Sequence, residues 1–262
     1  MISKILIITI LIILLLLFLI WMSKKQKYEH FILPSNIDIY IINLDKDRDR
    51  LQNLKNKNKN PDLNLIRHPA VLGKNVKPSD KLYRKYLSPE FKHSGNFIKS
   101  SVIGCSLSHH TLYDKLYHLQ NNQSKFHIIC EDDAEIVDNF PEKLRNILNQ
   151  LPEDWDFVYL GISKAMGKKY SKNLLIPKQK KGYYGNYGSF GYMISSKGLQ
   201  KLHENSNQVK DAIDIFFKTI PDFKKFISYP FLIKHNFDFL SNNAGKKRSE
   251  IKTSYEKVIY VD

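Results

Sequence analysis

Three consecutive acids, Glu131-Asp132-Asp133, close an apolar run, Phe126-His127-Ile128-Ile129-Cys130. Adjacent carboxylates repel, and burial worsens the repulsion because a low dielectric disfavours the charged form. A divalent cation resolves this. It takes oxygen ligands and bridges them to a bound diphosphate. In strand geometry Glu131 and Asp133 point to the same side, since side chains alternate with period two. The competing reading is a solvated acidic turn, because Asp is common in turns. For the triplet alone the two readings balance. The strand before it favours a site, because ligands of open α/β sheets bind beyond the carboxyl ends of strands.

Other residues offer chemistry at lower specificity. His109 and His110 follow Gly104-Cys105-Ser106-Leu107-Ser108. Either imidazole is a potential ligand, although a histidine near a helix start is more often structural. Only one of the two is expected to face the core, His109, paired through Ser106 or Ser108. Asp214 is embedded in Asp211-Ala212-Ile213-Asp214-Ile215-Phe216-Phe217. It is a general base held among apolar groups or a carboxylate favoured by a helix start, and the two readings weigh equally.

The elements that must position these groups alternate between strand and helix. Ile37-Asp38-Ile39-Tyr40-Ile41-Ile42 is a buried strand, and Asn43 to Leu51 turns into a helix. Leu63 to Val71 is a second strand, closed by Gly73. A helix from Gly104 to about Leu119 carries Leu112, Leu116 and Leu119 on one face. After the triplet come a helix from Glu142 to Leu151, a strand from Trp155 to Gly161, a Gly-containing stretch from Tyr184 to Ile194 and a helix from Ser195 to His203. A helix from Asp211 to Ile220 and a late strand from Ile227 to Ile233 follow. Lys164 to Lys181 is predicted to be a mobile basic loop. The alternation predicts an α/β fold with helices on both sheet faces.

Ile5 to Met22 is an 18-residue apolar run in which Thr9 is the only polar residue. That suits a transmembrane helix. A cleaved signal peptide would have a shorter apolar region and a small-residue cleavage site, and none follows Ile20-Trp21-Met22. The expected organisation is a transmembrane anchor over 1–23, a stem over 24–36 and one catalytic-sized domain over 37–262. Charges flank the run on both sides, Lys4 before and Lys24, Lys25 and Lys27 after, so the chain is read as single-pass with its orientation open.

The 262 residues carry a formal charge of +15. Such a charge raises the question of polyanions. The lysines are scattered rather than clustered with arginine and aromatics, which argues against a nucleic-acid groove. Two cysteines, Cys105 and Cys130, are too few for a disulfide framework or a zinc-finger pattern. Both read as buried thiols, with one bridge between them left open.

In order along the chain, several segments together resemble glycosyltransferase family 25. They are Ile39-Tyr40-Ile41-Ile42-Asn43-Leu44 with Arg48 and Arg50, Ala70 with Gly73, Gly104-Cys105-Ser106-Leu107-Ser108-His109, Ile129-Cys130-Glu131-Asp132-Asp133, Trp155 to Gly161, Gly188 to Ser195 with Gly198, Asp214, and Arg248-Ser249. The resemblance implies a GT-A-like, Rossmann-type mixed sheet flanked by helices. It also implies a UDP-sugar donor carrying galactose or glucose, a divalent metal such as Mn²⁺, and inversion at the anomeric carbon. Asn43, Leu44 and Arg50 would lie near the nucleotide. Asp133 would be the first metal ligand and Glu131 the second, with Asp132 in the donor-binding set as the residue orienting them. Asp214 would be the base, and Tyr183, Tyr184 and Tyr187 would stack on sugars. The acceptor would be a glycan, a lipid-linked glycan or a hydroxylated protein. Ala134, Ser189 and Glu250 depart conservatively from the family pattern. The alternatives are a degenerate member, or a non-catalytic membrane-tethered polyanion- or glycan-binding protein. A metal-dependent phosphoesterase would need more His and Asp ligands at strand ends than the sequence offers.

Overall fold

The structure, a computed structural model, describes residues 8–18, 31–91, 100–119, 125–178, 185–236 and 258–261, apart from the Ser189 side chain. Tyr183, Tyr184 and Arg248 to Glu250 lie outside the described residues.

Helix α1 comprises residues 8–18, whose large apolar side chains stand 48% to 59% exposed. Among the described residues no helix is long and apolar enough to cross a membrane. The expected span over 5–22 runs past the described residues at both ends. The end of the expected stem lies on the domain. Phe31 packs on Phe126 with ring centroids 5.9 Å apart, and its N–H donates to Asn149 at 2.7 Å.

The domain then alternates as its apolar pattern predicts. β1 (Ile37–Asn43) leads into α2 (Arg48–Lys57), and β2 (Leu63–Pro69) into a 3-10 turn (Gly73–Asn75) and α3 (Lys81–Tyr86). The long helix α4 (Ser100–Leu119) precedes β3 (Phe126–Glu131), the short β4 (Ala134–Ile136) and α5 (Phe140–Leu148). β5 (Phe157–Ser163), β6 (Ala165–Lys169), β7 (Leu174–Pro177) and β8 (Tyr187–Ser195) follow. The chain continues through α6 (Ser196–Glu204), α7 (Ile213–Thr219), β9 (Lys225–Ser228), β10 (Ile233–His235) and β11 (Val258–Tyr260).

Among the described residues, nine strands form one mixed sheet in the order β11-β6-β7-β9-β5-β8-β3-β1-β2. β1 runs parallel to both β2 and β3, whereas β8 is antiparallel to β3 and β5. Strand alternation sorts the core into two layers. Ile37, Ile39 and Ile41 of β1 join Ile128 and Cys130 of β3 on one face, beneath Leu144 and Ile147 of α5. Ile42 and Ile129 face the other way, among Leu107, Leu112 and Tyr113 of α4 and Phe216 and Phe217 of α7. A sheet covered on both faces explains why its central strands are continuously apolar. The second layer centres on Phe157, whose ring lies 4.9 Å from Tyr192 and 4.7 Å from Phe217.

Three expectations are corrected. The basic stretch read as a loop contains the β6–β7 hairpin, which extends the sheet; residues 179–181 fall outside the described residues. The late strand is two strands in two different sheets, β9 and β10, divided by the cis Tyr229-Pro230 bond. Cys105 and Cys130 are not bridged, and only Cys130 is fully buried.

Candidate active site

β1 and β3 lie side by side and parallel, so their carboxyl ends open on the same edge of the sheet. Asn43 ends β1, and its side chain ties the edge together. Its amide donates to the Asp47 carbonyl at 2.8 Å and to Asp132 Oδ2 at 2.8 Å. Its own oxygen accepts from Arg67 Nε at 3.0 Å. Asn43 has no exposure, so it holds the turn from behind rather than facing the cleft.

Arg50, on the first turn of α2, donates to Asp132 Oδ1 at 2.9 Å and stands 3.8 Å from Asp133 Oδ2. Both oxygens of Asp132 are therefore engaged by protein donors. Burial pushes the Asp132 carboxyl up to about 6, against the pull of Asn43 and Arg50. For Arg50, burial works against the charge, but the hydrogen bond to Asp132 and the surrounding Asp charges outweigh it and raise its pKa.

The strand stops at Glu131, and Asp132-Asp133 form a turn into β4. The period-two relation between Glu131 and Asp133 is corrected accordingly, because it holds only in extended chain. Glu131 Oε1 faces His109 Nε2 at 3.8 Å. Asp133 Oδ2 faces His235 Nε2 at 3.6 Å, and the Asp133 carbonyl accepts from Asn236 N–H at 2.7 Å. Even so, Glu131, Asp132 and Asp133 all line one cleft of about 240 Å³.

Two glycines close the part of the lining where α4 meets the chain after β2. A Cβ on Gly73 would lie 1.8 Å from the Ser100 carbonyl, and one on Gly104 would lie 2.5 Å from the Val71 carbonyl. The start of α4 therefore rests directly on the chain after β2, where Ser108 Oγ accepts the Val71 N–H at 2.8 Å. Leu44 and Arg50 line the cleft, with Lys46 and Lys74 adding positive charge to its lining. A groove with acids at one strand end and ammonium groups beside them suits an anionic ligand carried with a cation. Glu131 and Asp133 both line the cleft and carry oxygen donors of the kind a hard divalent cation takes.

Asp214 does not line this cleft. It begins α7, with Oδ1 accepting the Ile215 N–H at 3.0 Å and Oδ2 lying 3.5 Å from the Gly188 nitrogen. Gly188 is the second residue of β8, which runs antiparallel beside β3, so Asp214 borders the same sheet edge as the acidic turn. Tyr187 is covered by the Lys218 ammonium, 3.6 Å above its ring.

Both His109 and His110 are buried, which corrects the expectation that only one faces the core. His109 Nδ1 pairs with Tyr192 Oη at 2.6 Å, and His110 Nδ1 with Ser206 Oγ at 2.8 Å. Neither pairs with Ser106 or Ser108. Cys105 also lines the cleft, and its spacing of four residues from His109 on a helix was a legible sign of a shared face. His235 had no such sign, since it reaches Asp133 from a three-residue strand far along the chain.

Residues 36–217 match the model of glycosyltransferase family 25, described as LPS biosynthesis protein. Procollagen galactosyltransferase 1 of Danio rerio is 27% identical over 143 residues, 51% of this chain and 22% of that protein. Procollagen galactosyltransferase 2 of Homo sapiens is 24% identical over 171 residues, 63% of this chain and 27% of that protein. The chain thus spans about a quarter of the length of the curated relatives it matches. Among solved structures, mouse xyloside xylosyltransferase 1 in its apo form aligns with 84% of this chain and 80% of its own, at 13% identity and a TM-score of 0.34.

Proposed function

The chain belongs to glycosyltransferase family 25, and from that membership we propose that it moves a hexose from a UDP-sugar to a hydroxyl acceptor with inversion at the anomeric carbon. Galactose is the first choice of sugar, in keeping with the names of its relatives, and glucose the second. The acceptor is a glycan, a lipid-linked glycan or a hydroxylated protein. A GT-A-like architecture is the form of its mixed sheet.

The observation that carries this reading is the cleft at the shared ends of β1 and β3, where Glu131 and Asp133 meet Leu44, Arg50 and two lysines. Glu131 and Asp133 would hold a divalent cation such as Mn²⁺, which would supply positive charge against the leaving diphosphate. Lys46 and Lys74 draw the diphosphate into the groove. Asn43 and Arg50 fix Asp132, and through it the turn that carries Asp133. Asp214 accepts the proton of the acceptor hydroxyl as that oxygen attacks the anomeric carbon from the face opposite UDP. Its place beside Gly188 supports the assignment, because the strand it touches flanks the acidic turn.

The apolar run Ile5 to Met22 supports attachment to a membrane by a single N-terminal span, of which residues 8–18 are helical.

Thermal melting with UDP-galactose or UDP-glucose, with and without Mn²⁺, tests the proposal. A donor at a hundred times its dissociation constant stabilises the fold by about 2.7 kcal/mol. Stabilisation should need Mn²⁺ and should vanish in Asp133→Ala. If neither donor raises the melting temperature in the presence of Mn²⁺, the proposal fails. Donor binding without transfer to any acceptor class would mark a degenerate member.

A further inference from the structure

Glu131 has neighbours of a different chemical kind from those of Asp133. Cys105 and His109 project from one face of α4, and that face meets the end of β3. There the Cys105 thiol, a His109 ring nitrogen and a Glu131 oxygen all lie within 4.8 Å of one another.

His109 is the informative member. Its ring has no exposure, and Nε2 has no hydrogen-bond partner. The 3.8 Å to Glu131 is too long for a hydrogen bond. A buried polar atom left unpaired costs free energy, so an occupant of this spot is favoured. The other nitrogen is fixed. Nδ1 lies 2.6 Å from Tyr192 Oη, which lies 2.6 Å from Tyr113 Oη. Burial raises both phenols well above their usual value, so both keep their protons. In the tautomer a metal ion requires, the ring proton sits on Nδ1, so that His109 donates to Tyr192 and Tyr192 to Tyr113. Nε2 then directs its lone pair at Cys105 and Glu131. Metal-binding histidines are held in this way, with the distal nitrogen anchored by a hydrogen-bond partner. His68, His110 and His127 also bury an unpartnered nitrogen, but none of them joins such a ligand group among the described residues.

We propose that Cys105, His109 and Glu131 form a binding site for a borderline-soft divalent cation of the Zn²⁺ class, on the wall of the donor cleft. One thiolate, one imidazole and one carboxylate are the ligands Zn²⁺ takes, whereas Mn²⁺ and Mg²⁺ prefer oxygen alone. Zn–S and Zn–N bonds of roughly 2.3 and 2.0 Å put tetrahedral ligands about 3.5 Å apart, so the trio closes on the ion by small side-chain adjustments. All three residues line the cleft, which leaves a fourth position for water or a ligand. Binding displaces the Cys105 thiol proton to solvent. Glu131 belongs to both donor sets, so Zn²⁺ here withdraws it from the cation that accompanies the donor. Only this last consequence rests on the proposed function.

Co²⁺ added to the full chain is the test, because a Co²⁺–thiolate bond gives a near-ultraviolet charge-transfer band. One equivalent should produce the band and Zn²⁺ should abolish it. Cys105→Ser should remove it, while Cys130→Ala and Asp133→Ala should retain it, each variant being checked for folding by circular dichroism. In the unaltered chain Zn²⁺ should also slow alkylation of Cys105, read by mass spectrometry, at least tenfold. No band at one equivalent, a band that survives Cys105→Ser, or alkylation indifferent to Zn²⁺ would overturn the site. A thiolate band in a protein that no UDP-sugar stabilises would leave this site standing and the proposed transfer refuted.

Discussion

Asp132 is the member of the acidic triplet that the protein uses on itself. Its two oxygens are taken by Asn43 and Arg50, and its carboxyl titrates at about 6 rather than at the ordinary 3.8. The sign of the consequence follows from linkage. Because the folded value lies above the unfolded one, the unfolded chain gives up this proton more readily. The stability from this group is complete below 3.8 and is lost as pH rises through about 6. At about 1.4 kcal/mol per unit, the effect is on the order of 3 kcal/mol. Asp132→Asn should therefore make stability respond more favourably to rising pH across that window than the native chain does. Parallel melting curves with pH would refute the assignment. Asp214→Asn tests the neighbouring role. Donor binding should persist while turnover falls roughly 10²- to 10⁴-fold, the scale of a lost general base. Lost donor binding would instead make Asp214 structural. The triplet was legible in the sequence because an apolar strand stopping in three acids is unusual. Its division of labour was not, because the partners that divide it arrive from positions 82 and 89 residues away.

At the scale of elements, the cleft exists because two segments touch without side chains between them. A methyl on Gly104 would meet the Val71 carbonyl at 2.5 Å and the Gly73 nitrogen at 2.7 Å. Both are backbone atoms, which cannot swing aside. Gly104→Ala should force α4 away from the chain after β2 and cost about 1–3 kcal/mol, as overpacking does. Donor-induced stabilisation should fall with it, since Cys105, Ser108 and His109 move with the helix. A urea midpoint equal to that of the native chain would show that the contact is not tight. Most elements were legible from periodicity, β1, β3, β5 and α4 above all. The failures have particular causes. α4 is buried nearly all round between Val102 and Tyr113 and opens to solvent at its last turn, so a one-sided stripe misjudged it. Leu112 and Leu116 are buried, Leu119 is exposed, and both histidines are inside. The β6–β7 hairpin lies toward one end of the sheet, where Lys168 and Lys169 are exposed, and its charge concealed its pairing. Pro230 was a visible interruption in the late apolar run, since proline cannot donate to a ladder.

The whole molecule carries an acid liability that one site does not reveal. His68, His110 and His127 are buried, each with one ring nitrogen that no hydrogen bond reaches. Burial is the first cause of low values at all three, about 4 for His68, about 3 for His110 and about 4 for His127. Here the folded values lie below the unfolded 6.5, so the unfolded chain binds the protons first. Stability is complete above 6.5 and is lost as pH falls toward 4, by on the order of 3 kcal/mol for each group. Asp132 acts in the opposite sense over much of the same window, but it is one group against three. The net slope is therefore toward unfolding in acid. The positive charge of the chain adds to it, because protonating carboxylates leaves 41 Lys and Arg residues less compensated. Melting followed by circular dichroism should show the midpoint falling steeply between pH 6.5 and pH 4. His127→Gln, which cannot take up a proton, should make that fall shallower. A midpoint unchanged across the window would mean that these rings reach water when charged, and that the layer between α4 and the sheet is looser than its packing indicates.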